Sequence, residues 1–335
     1  MSSKVSAYAR LLRVPGIGAL GVVPVIGALI VGVTDIPTLT IVFIIGALAS
    51  IFGFLVNDYV DIELDKLVDD LQKKPLVSGE ISRKAALMTA FVLVFSSFFF
   101  IALLWYNQPI TFYRFMAFIC ILLAGFLGTT YDMYGKKIVG SDFLVAISVA
   151  FIFLFGALSF APPTPMVWVV FLLTFENILF MNVVQNGLKD ADHDYKMGVK
   201  NIAISSGVKV EDKTLIIPWG FKVFGFGLRL FAAVLFFLPF IVFRYSYFLW
   251  QIILLAVLVI IYLFLDARFL SMKTFDRSQI RRMIGIQSFL RYSLVPVMLI
   301  STITIIPAVL LILIPIIWYI AFTPLLGERM FKPRM

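Results

Sequence analysis

The chain has 335 residues, 61% of them hydrophobic and only 14% charged, with a formal net charge of +9. A soluble domain cannot bury that much apolar surface, and barrel-type alternation is absent, so the expected class is all-α and polytopic in a membrane. The single cysteine, Cys120, excludes an intrachain disulfide, and the single histidine, His193, excludes a His-rich metal site or a haem held by two histidines.

The opening MSSKVSAYARLLRVPG lacks a short apolar core with a cleavage site, so no cleaved signal peptide is expected. Nine apolar spans then follow, at about 15–34, 38–57, 84–105, 111–131, 142–160, 166–186, 222–243, 247–265 and 291–320. The connectors after the odd-numbered spans are short: TDIP, YNQPI, APPTP and FRYSY. Those after the even-numbered spans are long or charged. The N-terminus and these even connectors, with adjoining helix ends, hold 23 of the 28 basic residues. The other side holds Arg114, Arg244, Arg329, Lys332 and Arg334. The positive-inside rule therefore predicts an N-terminus and charged loops in the cytoplasm of a cell-membrane protein. Nine spans put the C-terminus outside, although its tail is basic. The +9 charge reads as this topology signal, not as nucleic-acid binding.

Two acidic motifs interrupt the apolar pattern. Asn57, Asp61 and Asp65 close the second span, and Asn186, Asp190 and Asp194 close the sixth, 129 residues later with the same spacing. The offset suggests a pseudo-repeat, about 1–140 and 141–270, followed by a final helix at 291–320, all in one membrane domain. Residues i, i+4 and i+8 share a helical face. Each triad is thus an oxygen-rich stripe, with Asp58 beside the first, and Glu63 and Asp192 pointing away. Carboxylates at a helix C-terminus are disfavoured and repel one another, so a cation is expected between them. Oxygen ligands without His or Cys suit Mg²⁺, which shares its sites with phosphates. Two such stripes could hold one diphosphate through two metal ions. Lys66, Lys73, Lys74, Arg83, Lys84, Lys136, Lys137, Lys189, Lys196 and Lys200 surround them.

The motifs resemble those of the UbiA superfamily of intramembrane prenyltransferases. NDYVDIELD followed by KKPLVSGEIS is similar to the family's N-D-x-x-D-x-x-x-D and R-P-L-x-S-G-x-I-S, with Lys74 where arginine is usual. KDADHDYKMGVKNIAISSG is similar to D-x-x-x-D followed by G-x-K-T-x-x-x-x-x-G, with Asn201 in place of threonine. YDMYGKKIVGSD is similar to an element with a tyrosine and a Lys-Arg pair, and Asp142 lies near its asparagine position. Relatives often have a lysine near the position of Asn186.

The resemblance implies nine helices around a central cavity, cytoplasmic cap loops, and an opening to lipid. It implies transfer of a prenyl group from an allylic diphosphate, geranyl to geranylgeranyl or longer, to a lipophilic acceptor. Asn57, Asp61 and Asp65, with Asp58 supporting, would hold one Mg²⁺, and Asp190 and Asp194 the other. Lys74, Lys136 and Lys189 would face the diphosphate, with Asn57 and Asn186 beside it. Tyr131 would stabilise the allylic cation or orient the acceptor.

Glu176 and Asn177 sit halfway along the sixth span, where an ionisable residue usually faces the bundle interior. Glu176 could bind or deprotonate the acceptor, or serve as a structural hydrogen-bond partner. Arg229 and Arg291 are expected to snorkel near helix ends. DRSQIRRMIGIQ (276–287) is basic and amphipathic, and is expected to lie at the membrane surface. A transporter built from internal repeats is the alternative class. For the acceptor, a quinone-precursor ring and an archaeal-type glyceryl phosphate lipid both stay open.

Overall fold

The computed structural model describes residues 3–67 and 71–326. The basic tail at Arg329, Lys332 and Arg334 lies outside the described residues. Among the described residues, eight helices are long and apolar enough to cross a membrane, or nine if one bent pair is a single span. Helix α5 (Arg83–Leu104) shows why these are membrane helices: only 11% of its apolar window is buried within the protein. Phe91, Val92, Phe95 and Phe99 are exposed, a surface that only lipid can cover. The chain is an integral membrane protein.

The chain forms two compact units. The first is built from the stretch up to Met133, Ile152–Pro162, and the part from Leu313 onward. It begins with α1 (Ser3–Leu11), which meets α2 (Ile17–Ile30) at a 44° bend. The bend has a local cause. Arg13 adopts φ 45° and ψ 46°, left-handed and costly for a residue with a Cβ, and Pro15 opens the next turn. Helix α3 (Ile36–Val60) starts at Asp35, whose carboxylate accepts from the Thr38 amide at 3.0 Å. It packs along α2 and α5. The α2 contact depends on Gly46, where a Cβ would lie 2.6 Å from Pro24 Cγ. Small residues allow such close backbone approach between membrane helices. The short α4 (Ile62–Asp65) follows α3, and α6 (Phe112–Tyr134) runs to the edge of the unit. Below the first acidic motif, Leu55, Ile62, Leu76, Ile81 and Ala86 form an apolar cluster. That cluster seats the loop carrying Lys74 against the end of α3. Each large side chain buried there contributes about 1.5–3 kcal/mol.

The second unit comprises Tyr134–Phe151 and Pro163–Ile312. Helix α7 (Asp142–Leu158) begins in it. Helix α8 (Pro165–Phe180) is capped by Thr164 and runs into a π-helical segment, Met181–Asn186. Three short helices follow: α9 (Gly187–Lys189), α10 (Ala191–Lys196) and α11 (Ile202–Ser205). A hairpin of β1 (Lys209–Glu211) and β2 (Thr214–Ile216) turns at Asp212 and Lys213, both with positive φ. Its Leu215 and the adjacent Val208 join Val183, Val184, Leu188 and Ala191 in the core. Helices α12 (Trp219–Ile241), α13 (Leu249–Leu270) and α14 (Arg277–Ile303) complete the unit.

The end of the chain differs from the sequence expectation. The span expected at 291–320 is divided at Thr304, where φ 70° and ψ 169° break the helix between α14 and α15 (Ile305–Phe322). The stretch 276–287, expected at the membrane surface, forms the first part of α14, continuous with the helix that follows. Asp276 caps it, accepting from the amides of Ser278 and Gln279 at 2.9 and 3.2 Å.

Candidate functional site

The first motif spans the α3–α4 junction, and Asp61 is the C-cap of α3. Asp58, Asp61 and Asp65 are 4%, 6% and 3% exposed. Three buried carboxylates at the negative end of a helix need nearby positive charge. Lys74 supplies it, its Nζ lying 2.9 Å from Asp58 Oδ1 and 2.7 Å from Asp65 Oδ2. Burial opposes the ammonium's charge, but Asp58 and Asp65 outweigh it and hold Lys74 above its usual range. Arg13 is a second cation, 2.9 Å from Asp58 Oδ1. Glu63 points outward as expected, exposed and paired with Lys66 and Arg83.

The sequence reading missed Arg13 and Asp132. Asp132 lies on α6, one residue after the half-buried Tyr131. Asn57 Nδ2 donates to Asp132 Oδ1 at 3.3 Å. The amide nitrogen of Asn57 thus faces Asp132. The amide oxygen is thereby left to face the opposite way. The only sequence signals were adjacency to Tyr131 and, for Arg13, its place before a Val-Pro-Gly breaker.

The second motif begins at Asn186, the last residue of the π-segment. Lys189 Nζ donates to Asn186 Oδ1 at 3.1 Å and lies 3.3 Å from Asp190 Oδ2. Asn201 has two roles. Its Oδ1 caps α11 at the Ile204 amide, and its Nδ2 donates to Asp194 Oδ2, both at 2.8 Å. Burial first, and then the charge of Asp190, push the Asp194 carboxyl up to about 6, against the pull of Lys136. A backbone bond from the Lys200 amide to the Lys136 carbonyl, 3.0 Å, ties the Lys136 loop to this motif. Asp192 points away, held 2.5 Å from Arg277.

Among the described residues, no three His, Cys, Asp or Glu side chains converge into a ready metal cage. Zinc needs such a cage, whereas Mg²⁺ takes one or two carboxylates and leaves its other positions to water and phosphate. Oxygen donors with a nearby lysine in each motif therefore fit Mg²⁺.

Glu176, Arg229 and Arg291 form a separate feature. Arg229 does not snorkel: it is 0% exposed, 3.1 Å from Glu176 Oε1 and 2.9 Å from Asp266 Oδ2. It lies against the ring faces of Phe180 and Tyr262. Arg291 is also turned inward, donating to Gln185 and Ser288. Both point inward because facing helices supply acceptors that lipid lacks. Glu176 is engaged by Arg229.

A model of the UbiA prenyltransferase family matches residues 21–290. The chain belongs to the UbiA prenyltransferase family. A 4-hydroxybenzoate octaprenyltransferase of Vibrio parahaemolyticus is 30% identical over 213 residues, covering 62% of this chain and 71% of the relative. Among solved structures, a digeranylgeranylglyceryl phosphate synthase matches with a TM-score of 0.65 at 21% identity, covering 90% of this chain and 99% of that one. A UbiA homolog of Archaeoglobus fulgidus bound to GPP and Mg²⁺ matches with a TM-score of 0.63 at 18% identity, over 89% of this chain and 100% of that one. This UbiA-family chain is an enzyme that transfers prenyl groups, and the transporter alternative is set aside.

Proposed function

We propose that the chain transfers a prenyl group from an allylic prenyl diphosphate to a lipophilic acceptor, with two Mg²⁺ ions assisting. The observation that carries this reading is the first motif, three buried carboxylates under Lys74 and Arg13. Asn57, Asp61 and Asp65, with Asp58 supporting, would hold one ion, and Asp190 and Asp194 the other. Bound there, Mg²⁺ would offset the negative charge that develops on diphosphate as the allylic C–O bond breaks.

The chain's own residues do the rest. Lys74 pairs with Asp58 and Asp65 and holds them in place. Lys136 and Lys189 set the charge around the second motif, and Asn201 fixes Asp194. Asn186 accepts from Lys189 and so aims its ammonium. Tyr131, near the end of α6, would meet the allylic cation with its ring or orient the acceptor. The N-terminus and the loops bearing both motifs would face the cytoplasm.

The Vibrio relative's name points to a hydroxybenzoate ring, and the matched synthase to a glyceryl phosphate lipid. Membranes containing the chain, incubated with labelled geranylgeranyl diphosphate, Mg²⁺ and a panel of both acceptor types, should yield one prenylated product by mass spectrometry. Absence of any product, with intact protein in the membrane, would refute the reading.

A further inference from the structure

A ring of polar side chains is buried in the second unit, and nothing in the proposed reaction uses it. Glu176 on α8 pairs with Arg229 on α12 at 3.1 Å, and Arg229 Nε lies 2.9 Å from Asp266 Oδ2 on α13. Asp266 Oδ1 accepts from Gln287 Nε2 on α14 at 2.6 Å. Gln287 Oε1 accepts from Gln185 Nε2 at 2.6 Å, and Gln185 Oε1 accepts from Arg291 at 3.0 Å. The direction of these bonds is fixed at both ends, because arginine only donates and a carboxylate only accepts. The ring leaves the α8 helix at Glu176 and returns to it at Gln185. Between them lies most of the π-segment Met181–Asn186.

That segment changes which way the helix faces. A regular helix turns about 100° per residue, so the eight residues from Asn177 to Gln185 would leave them about 80° apart. The extra residue of a π-turn takes back about 100°. Asn177 and Gln185 then share a face, and one Arg291 nitrogen reaches both, at 3.5 and 3.0 Å. The same rotation is passed to Asn186, the next residue, and to Asp190 beyond it.

We propose that this ring holds the π-turn in register and thereby sets the direction in which Asn186 and Asp190 face; its members are positioning residues. The proposal rests on the reading that the second motif binds Mg²⁺ and diphosphate. π-turns are rare and occur frequently at functional sites, and a cut at the uncharged Gln185 leaves the Glu176–Arg229–Asp266 ion pairs in place. The loss expected from breaking the ring is therefore loss of aim more than loss of fold.

The test is Gln185→Leu, which removes both bonds at the π-turn and keeps most of the bulk. Mn²⁺ binding is measured by electron paramagnetic resonance in the presence of geranyl diphosphate, beside turnover and thermal unfolding. The expected result is an Mn²⁺ affinity weaker by about 10- to 100-fold, the size typical when groups orienting a metal ligand are lost. The Mg²⁺ concentration for half-maximal turnover should rise by the same factor, with a smaller fall in kcat. Arg291→Lys keeps a donor for Gln185 and should stay within about threefold. Ile178→Ala is a buried packing variant outside the ring, expected to lower the unfolding temperature and leave Mn²⁺ affinity alone. Should Gln185→Leu fail to fold, Gln287→Leu cuts the ring on α14 and carries the same expectation. Wild-type Mn²⁺ affinity in the folded glutamine variant would overturn the proposal. So would a loss that merely tracks unfolding, as in Ile178→Ala. A wild-type protein that binds Mn²⁺ and geranyl diphosphate but prenylates no acceptor would instead overturn the proposed reaction, and the binding comparison would still decide the role of the ring.

Discussion

Lys74→Met should be the most damaging single change to the first motif that leaves every carboxylate in place. The lysine side chain is 24% exposed, and those of Asp58 and Asp65 are 5% and 4% exposed. Breaking a buried ion pair by removing one partner costs about 3–5 kcal/mol, because a charge stays behind without its partner. Asp58 keeps Arg13 at 2.9 Å. Partial exposure of the lysine trims the figure to about 2–4 kcal/mol. Equilibrium unfolding of the detergent-solubilised protein measures it. Lys74→Arg, the residue usual in the family, restores the charge and should stay within about 1 kcal/mol of wild type. Lys74→Met combined with Asp65→Asn also removes a carboxylate that Lys74 held at 2.7 Å and should recover part of the loss, a coupling that a double-mutant cycle detects. A Lys74→Met protein as stable as wild type would refute the reasoning. So would a double variant no better than the single.

Two further expectations follow from the site. Asp132→Leu should weaken Mg²⁺ affinity by about 10- to 100-fold, because Asn57 would lose the acceptor that fixes its amide. Asp132→Asn retains an acceptor oxygen and should lose much less, and equal losses by isothermal titration calorimetry would contradict an orienting role. The raised Asp194 carboxyl, at about 6, implies proton release when metal binds. An aspartate normally titrates near 4, so the metal-free folded protein holds this proton more tightly than the unfolded chain does. It gains stability from that proton at low pH, and the gain is lost as pH rises through about 6. Apparent Mg²⁺ affinity should therefore be flat above about pH 7 and fall about tenfold between pH 7 and 5. Asp194→Asn should flatten that fall, and a wild-type affinity independent of pH over this range would refute it.

The acidic motifs were legible in the sequence because carboxylates at the ends of apolar spans are costly and conspicuous. So was the membrane class, since length and apolarity alone fix it. Arg13 and Asp132 were not legible. Their roles depend on a left-handed break at Arg13 and on the α3–α6 contact, and neither leaves a local pattern. Arg229 misled for a related reason: an arginine in a span snorkels unless facing helices supply acceptors, and Glu176 and Asp266 come from elements 53 and 37 residues away. The π-turn has no composition signal, so the facing of the second triad could not be read from its i, i+4 spacing. The break at Thr304 has a local signal in Pro307, which cannot donate to the Ile303 carbonyl, but the unbroken apolar run made the last two helices read as one span.

The central claim is that both acidic motifs serve one Mg²⁺-dependent prenyl transfer. The most direct measurement is diphosphate release with labelled geranylgeranyl diphosphate and an accepted acceptor, for wild type, Asp61→Ala and Asp190→Ala in lipid nanodiscs. Each variant should remain folded and lose at least about 100-fold in rate, the scale expected when stabilisation of a developing anion is removed. Full activity in either variant would contradict the claim.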